Sequence, residues 1–99
     1  MNEIACYILY SQKLDKFYIG YTQDSTENRL NKHNQSSYGS KYTSITNDWE
    51  MYLSIQCQTV SQARKIELHI KKAKSKVYIS NLKKYSEIIE KLLLKYSVN

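Results

Sequence analysis

Two short runs of aromatic and aliphatic residues near the start of the chain constrain its fold more than any other feature. Residues 4–10 and 17–22 are rich in the residue types that favour β-strands, and the polar residues 11–15 between them suit a turn. Two strands joined by so short a connection pair most simply with each other. The spacing therefore predicts an antiparallel hairpin.

The hairpin has a predicted register that brings two tyrosines together. If Tyr10 pairs with Asp15, Tyr7 lies opposite Tyr18, and directly opposed residues point to the same face of a sheet. Gly20 lies on that face as well, and its missing side chain leaves space where a ligand can approach the tyrosines. The ordinary alternative is an aromatic ladder that stabilises the hairpin by ~0.2–1 kcal/mol per pair.

The rest of the chain predicts helices and one further strand. Asp24 with Glu27 forms a capping box for the first helix, and Ser61 is the predicted cap of the second. The first helix is expected to end at about residue 34, and a polar loop over 35–48 leads to a strand over 49–58. The second helix is expected to run through Lys72. The sequence from Ser75 is helical almost to the end, with a break near 80–84. We expect one α+β domain over residues 1–99, in which a three-stranded antiparallel sheet is flanked by helices in the order ββαβαα. Its core would span about 4–82, and a C-terminal helix about 85–97.

The charge balance favours a polyanionic partner. The chain carries 15 basic and 9 acidic residues, a net charge of +6, and lysines neutralise phosphates and release their counterions. No apolar run approaches the ~20 residues of a membrane span. Cys6 and Cys57 are the two cysteines of the sequence, which is too few for a disulfide or metal framework and suits reduced thiols. We therefore expect a cytoplasmic protein without a membrane partner.

A carboxylate interrupts the apolar face of the second predicted helix. On a helical wheel, the residues of this face are Ala63, Ile66, Ile70 and Ala73, and Glu67 falls among them. A carboxylate on a buried face is costly unless it is paired, hydrogen-bonded or bound to a metal. A partner lysine or arginine, or a shallow and hydrated stripe, would explain Glu67 equally well.

Three further polar residues are candidates for a site. Arg29 and His33 are four residues apart and share one helix face, from which both can point at an anion, although such a face is ordinarily solvated. Arginine offers phosphate a planar, bidentate match that lysine does not. Asn81 falls at the edge of an apolar face that includes Leu82 and Tyr85, where a buried amide needs partners and is ordinarily structural.

Taken in chain order, these residues resemble the GIY-YIG nuclease family, in particular its small stand-alone members, which are related to the N-terminal nuclease domain of a DNA-repair excinuclease. The segment CYIL at residues 6–9 is similar to the first half of the family's paired motif, and YIG at 18–20 matches the second half literally. GSKYT at 39–43 is similar to a loop motif of the small members. Matches on the helices are Arg29, His33, Glu67 within SQARKIELHIKK, and Asn81.

The resemblance implies a metal-dependent endonuclease that hydrolyses DNA phosphodiester bonds with low intrinsic sequence specificity. It implies one divalent ion, Mg²⁺ or Mn²⁺, on Glu67, for which a hard oxygen ligand is suited. The implied roles of the other residues are general base for Tyr7, orientation of the water or of Tyr7 for Tyr18, transition-state stabilisation for Arg29, proton relay or phosphate contact for His33, and support for Gly20 and Asn81. A nearby positive charge would favour the phenolate form of Tyr7.

DNA is the implied partner, with roles in repair or recombination among those that the scaffold serves. Expected phosphate contacts are Lys41 and Tyr42 in the polar loop and Lys71, Lys72, Lys74 and Lys76 near the end of the second helix, although a solvated helix end explains the last four equally well. A homodimer or an accessory specificity protein is compatible with the sequence. Two other functions stay open, a nucleic-acid-binding module that has lost cleavage and a small interaction protein that docks an acidic partner.

Overall fold

A three-stranded antiparallel sheet with the central strand β1 organises the protein. The computed structural model describes residues 3–24, 26–34 and 46–97. The strand order is β2-β1-β3, and helices follow the hairpin and the third strand, so the predicted α+β fold class is confirmed. The elements are β1 (Ala5–Ser11), β2 (Lys16–Thr22), α1 (Thr26–Asn34), β3 (Trp49–Gln56), α2 (Val60–Ala73), α3 (Lys76–Lys84) and α4 (Ser86–Lys95).

The predicted hairpin forms, but its predicted register is wrong by two residues. Tyr10 pairs with Phe17 rather than with Asp15, and Tyr7 therefore pairs with Gly20. Asp15 instead belongs to the turn, where it has a left-handed backbone (φ 49°) and accepts a hydrogen bond of 2.6 Å from the Tyr10 hydroxyl. Because side chains alternate with a period of two, this even shift leaves Tyr7 and Tyr18 on one face.

The central strand is buried on both of its faces, which alternate along its sequence. On one face, Cys6 and Ile8 pack against apolar residues of α2, α3 and α4, such as Ile66 and Ile70. On the other face, Tyr7 and Leu9 form a second cluster with Trp49, packed against partly buried residues that include Tyr18 and Leu30. A strand covered on both faces has a nearly continuous apolar sequence, as β1 does.

Side-chain oxygens accept hydrogen bonds from backbone amides at two of the helix starts, one from a distant residue and one from the residue next to the helix. The amide of Thr26 at the start of α1 donates to the Glu3 carboxylate at 2.6 Å, a contact that the sequence did not predict. Helix α2 begins at Val60, where the Thr59 hydroxyl accepts from the amide of Gln62, so the predicted Ser61 cap is wrong. The side chain of Gln62 is buried and donates to the carbonyl of Leu93 at 2.9 Å, which joins α2 to α4.

The helical sequence after Ser75 divides at Tyr85. The backbone of Tyr85 is extended, and its amide donates to the carbonyl of Asn81 at 2.8 Å, which ends α3. This break lets Leu82 of α3 and Leu92 of α4 both enter the core, whereas Tyr85, expected on the apolar face, is 42% exposed. No helix among the described residues has the length and apolar character that a bilayer span requires.

Asp48 ties the hairpin turn to the start of β3. Its carboxylate accepts hydrogen bonds from the hydroxyls of Ser11 and Thr46, each at 2.6 Å, and from the amide of Lys13 at 3.0 Å. These donors favour the charged form, and they lower the pKa of Asp48 to about 2. The Asp48 carboxylate therefore binds a proton less readily in the folded protein than in the unfolded chain.

We predict that Asp48→Asn lowers the melting temperature at pH 7 and that the difference from the wild type disappears in acid. Because folding lowers the pKa of Asp48 from about 4 to about 2, its contribution is complete above pH 4 and is lost as the pH falls to about 2. Thermal unfolding of both proteins between pH 7 and pH 2 measures this. Glu50→Gln, at an exposed position of β3, is the control. A difference that persists unchanged at pH 2 would contradict the prediction.

Candidate active site

A polar cavity of about 600 Å³ opens beside the edge strand β2. Five of the predicted site residues line it, namely Tyr7, Tyr18, Gly20, Arg29 and Glu67. The other lining residues were not predicted; they are the end of β2 and the residues that follow it, Tyr21, Thr22, Gln23 and Asp24. The cavity thus brings together side chains from β1, β2, α1 and α2.

The phenol ring of Tyr7 lies over Gly20 on the neighbouring strand. Tyr7 is only 2% exposed, and a Cβ atom added at Gly20 would lie 2.7 Å from Tyr7 Oη and 2.8 Å from Cζ. The backbone φ of Gly20 is not positive, so its conformation alone does not require glycine. Glycine is required because a side chain would overlap the ring of Tyr7. The volume that a side chain at position 20 would fill is thus occupied by the phenol of Tyr7, while Gly20 itself lines the cavity beside the two tyrosines.

Tyr18 forms the sheet side of the cavity next to Tyr7. The ring centroids of the two tyrosines are 6.5 Å apart, and the rings of Tyr18 and Trp49 form an edge-to-face pair with centroids 6.4 Å apart. These contacts lie within the usual range for interacting aromatic pairs. Tyr7 and Tyr18 therefore lie next to each other on one face of the sheet, as predicted. They are diagonal neighbours, however, and not directly opposed across the two strands.

Arg29 is oriented by the last residue of β2. Its Nε donates to the hydroxyl of Thr22 at 3.1 Å, and the same oxygen accepts from the amide of Asp24 at 2.8 Å. Thr22 is 1% exposed, so the position of its hydroxyl is fixed by the sheet. Thr22 was not predicted as a site residue; its place directly after the YIGY strand, two residues beyond Gly20, was the available signal.

Glu67 is buried on α2, as its position in the apolar stripe predicted. It is 9% exposed, between Ile66 and Ile70, which are both fully buried. Ala63 is buried as expected, whereas Ala73, at the end of the helix, is exposed and does not continue the stripe. The Glu67 carboxylate lines the cavity, and the ammonium of Lys71 lies 3.5 Å from it.

Burial of Tyr7 works against the phenolate form. Desolvation is the main cause that raises the pKa of Tyr7 above its ordinary value near 10, and the neighbouring Tyr18 and the charge of Glu67 raise it further. The charge of Arg29 lowers the pKa of Tyr7, as the sequence predicts for a nearby cation, but it does not outweigh burial. Burial likewise raises the pKa of Tyr18.

The oxygen ligands that line the cavity suit a hard cation that is bound by few protein side chains. Among residues 3–24, 26–34 and 46–97, no group of three or more His, Cys, Asp or Glu side chains could hold a metal. One buried carboxylate beside a polar cavity of this size suits Mg²⁺, which keeps several of its waters and is bound through one or two carboxylates and the substrate phosphates. Glu67 is the residue that would hold such an ion.

The remaining predicted residues lie outside the cavity lining or outside the described residues. Residue 33 belongs to α1, but the His33 side chain is not among those described, and neither are Lys41 and Tyr42. Asn81 is half-buried on α3 and is not among the residues that line the cavity. Lys76 donates to the carbonyl and the carboxylate of Asp15, at 2.7 and 3.1 Å.

Comparison with protein families identifies the fold. A family model of the GIY-YIG catalytic domain matches residues 3–86. The chain belongs to the GIY-YIG family. Membership implies a nuclease-type fold with DNA as the substrate class, and the family is typically dependent on a divalent metal. Searches of curated proteins and of solved structures each gave no match.

The GIY-YIG match includes every element that contributes to the cavity and ends where α4 begins. It covers the sheet, α1, α2 and α3, whereas α4 (Ser86–Lys95) lies almost entirely beyond it. Helix α4 nevertheless contributes Leu92 to the core and is bonded to α2 through Gln62. It therefore supports the helix that carries Glu67.

We predict that Gly20→Ala destabilises the protein by about 1–3 kcal/mol, because the new methyl group would overlap the ring of Tyr7. In a Tyr7→Leu background, where no ring lies over the glycine, the same substitution should cost much less. Urea unfolding of the two single variants and the double variant gives the coupling. Equal costs in both backgrounds would show that the contact between Tyr7 and Gly20 is not the reason for glycine.

Proposed function

We propose that the protein is a metal-dependent DNA endonuclease that hydrolyses phosphodiester bonds with low intrinsic sequence specificity. Membership of the GIY-YIG family supports nuclease chemistry. The observation that carries the finer assignment is the convergence of Tyr7, Arg29 and Glu67 on one polar cavity. These three side chains supply a proton acceptor, a phosphate-binding cation and a metal ligand, which are the parts that such a hydrolysis requires.

Tyr7 is the proposed general base, which takes a proton from the attacking water. A buried phenol loses its own proton only with help, and the guanidinium of Arg29 is the group that favours the phenolate. Tyr18, 6.5 Å away between ring centroids, is proposed to orient Tyr7 or the water. His33 is proposed to relay the proton of Tyr7 or to contact the phosphate.

Arg29 is proposed to stabilise charge that develops on the phosphoryl oxygens. A donor held in place before the reaction is worth more than a flexible one, because it does not reorganise during the step. The hydrogen bond from Nε to Thr22 supports this role, since it fixes one edge of the guanidinium. Asn81 lies outside the cavity lining, and its carbonyl ends α3, which favours a supporting role there.

Glu67 is proposed to hold one Mg²⁺ or Mn²⁺ ion. When bound, the ion supplies Lewis-acid polarisation of the phosphate and stabilises charge on the leaving oxygen. The helical position of Glu67 between two buried isoleucines supports the assignment, because packing restricts the carboxylate to the side that faces the cavity. The preference of Mg²⁺ for few protein ligands is consistent with a single carboxylate.

DNA phosphates are proposed to lie along a lysine-rich surface near the end of α2. Two grooves there, of about 250 and 510 Å³, are lined by lysines that include Lys16, Lys65, Lys71, Lys72 and Lys74. Lys76 lines the first groove but is engaged by Asp15. Lys41 and Tyr42 are proposed as further contacts. Selectivity would come from the structure of the DNA, from a second copy of the chain or from an accessory protein.

We predict that wild-type protein cleaves plasmid, flap or branched DNA with Mg²⁺ or Mn²⁺ and that EDTA abolishes cleavage. Tyr7→Phe, Arg29→Ala and Glu67→Gln should each reduce the rate by about a hundredfold or more. Tyr7→Phe keeps the ring over Gly20, so a lost rate would report the missing hydroxyl. Gel-based cleavage rates, with circular dichroism to confirm folding, measure these effects.

The chain offers a matched control for each variant. Tyr85→Phe, Arg64→Ala and Glu90→Gln alter exposed residues of the same types and should cleave as the wild type does. Wild-type rates in the cavity variants would overturn the proposed site. Binding of DNA without cleavage by any substrate and metal would instead favour the non-catalytic binding module.

A further inference from the structure

Lys71 forms a loose ion pair with Glu67, the carboxylate that lines the cavity. Lys71 Nζ lies 3.5 Å from Glu67 Oε2, one helical turn along α2. Charge-assisted hydrogen bonds between ammonium and carboxylate groups are usually about 2.7–2.9 Å long. The pair is therefore held by charge attraction without a tight hydrogen bond, and the carboxylate can accept a closer partner.

The two partners differ greatly in their freedom to move. The side chain of Glu67 is 11% exposed, whereas that of Lys71 is 49% exposed. A lysine ammonium on a flexible four-carbon stem can change position at little cost when it is half in solvent. If the pair separates, Lys71 is the member that moves and Glu67 remains at the cavity.

Lys71 also belongs to the lysine-rich surface near the end of α2. It lines the groove beside β2, together with Lys16 and Lys74, and it lines the groove towards α4, together with Lys65 and Lys72. The same side chain therefore borders the carboxylate that would bind the ion and both grooves that would bind phosphates. A short movement of the ammonium would change its partner from a carboxylate to a phosphate.

A divalent ion and the ammonium of Lys71 compete for one carboxylate. Mg²⁺ binds oxygen ligands at about 2.0–2.1 Å and carries two charges, so it is the stronger partner of Glu67. Once the ion is bound, it repels an ammonium held 3.5 Å from the same carboxylate. A phosphate entering the adjacent groove offers the displaced ammonium a new negative partner.

We propose that Lys71 is a positioning residue with two alternating partners, the Glu67 carboxylate in the metal-free protein and a DNA phosphate when a divalent ion occupies Glu67. The proposal deepens the function argued above and rests on the metal-binding role of Glu67. It has a thermodynamic consequence. Metal binding releases Lys71 for DNA, and DNA removes the competitor from Glu67, so each ligand raises the affinity for the other.

Without DNA, removing the lysine charge should strengthen metal binding. We expect Lys71→Met to bind Mn²⁺ about two- to fivefold more tightly than the wild type, as loss of an ion pair of this exposure implies. Lys71→Arg should stay near the wild type, because it keeps the charge. Lys72→Met, which alters an exposed lysine of the same helical turn, should not change the affinity. Electron paramagnetic resonance of free Mn²⁺ during titration measures the dissociation constants.

With DNA, the same substitution should weaken the coupling between the two ligands. In a Tyr7→Phe background, which keeps the DNA uncut, the affinity for a short duplex is measured with and without Mn²⁺ by fluorescence anisotropy. The increase in affinity that Mn²⁺ causes should be at least about twofold smaller with Lys71→Met than with the native Lys71 or with the conservative Lys71→Arg. Lys72→Met should bind DNA more weakly in both conditions and leave the increase unchanged.

The outcomes separate this inference from the function on which it rests. If Glu67→Gln binds Mn²⁺ as well as the wild type does, the metal-binding role of Glu67 is wrong. If Glu67→Gln loses Mn²⁺ but Lys71→Met binds it no more tightly than the wild type, Glu67 is the ligand and the alternation of Lys71 is wrong. Tighter metal binding together with reduced coupling, in Lys71→Met alone, supports the alternation.

Discussion

The contact between Tyr7 and Gly20 is the constraint on which the site depends. Tyr7 stands on the central strand, whose two faces are both covered, and its ring occupies the volume that a side chain at position 20 would fill. The phenol is therefore held by two paired strands and not by a loop. A side chain on such a rigid element keeps its geometry, which suits the general-base role that we propose for Tyr7.

The charges around Tyr7 are held by separate parts of the fold. Thr22, at the end of β2, orients the guanidinium of Arg29, and packing of α2 fixes the carboxylate of Glu67. The cation favours the phenolate of Tyr7, while burial and the carboxylate disfavour it. The pKa of the phenol therefore depends on its burial and on two nearby side chains of opposite charge, and the ion that we propose for Glu67 would change the contribution of the carboxylate.

Local sequence patterns predicted the composition of the site better than its supporting contacts. Tyr7, Arg29 and Glu67 were identified from motif order and from a carboxylate within an apolar stripe, and all three line one cavity. The hydroxyl of Thr22 was not predicted, because its place after YIGY indicates that it is near the site but not which side chain it would contact. The hairpin register was missed because side-chain hydrogen bonds such as that from Tyr10 to Asp15 determine the turn.

By itself, the sequence determined the hairpin, the face shared by Tyr7 and Tyr18, and the place of Glu67 within the apolar stripe of its helix, because strand and helix periodicities are local properties. The tertiary structure alone decided that Glu67 is buried and shares a cavity with the tyrosines at the edge of β2, and that Glu3 holds the start of α1. These features depend on contacts between residues far apart in the chain. Such contacts follow from how the helices pack on the sheet, which no local period specifies.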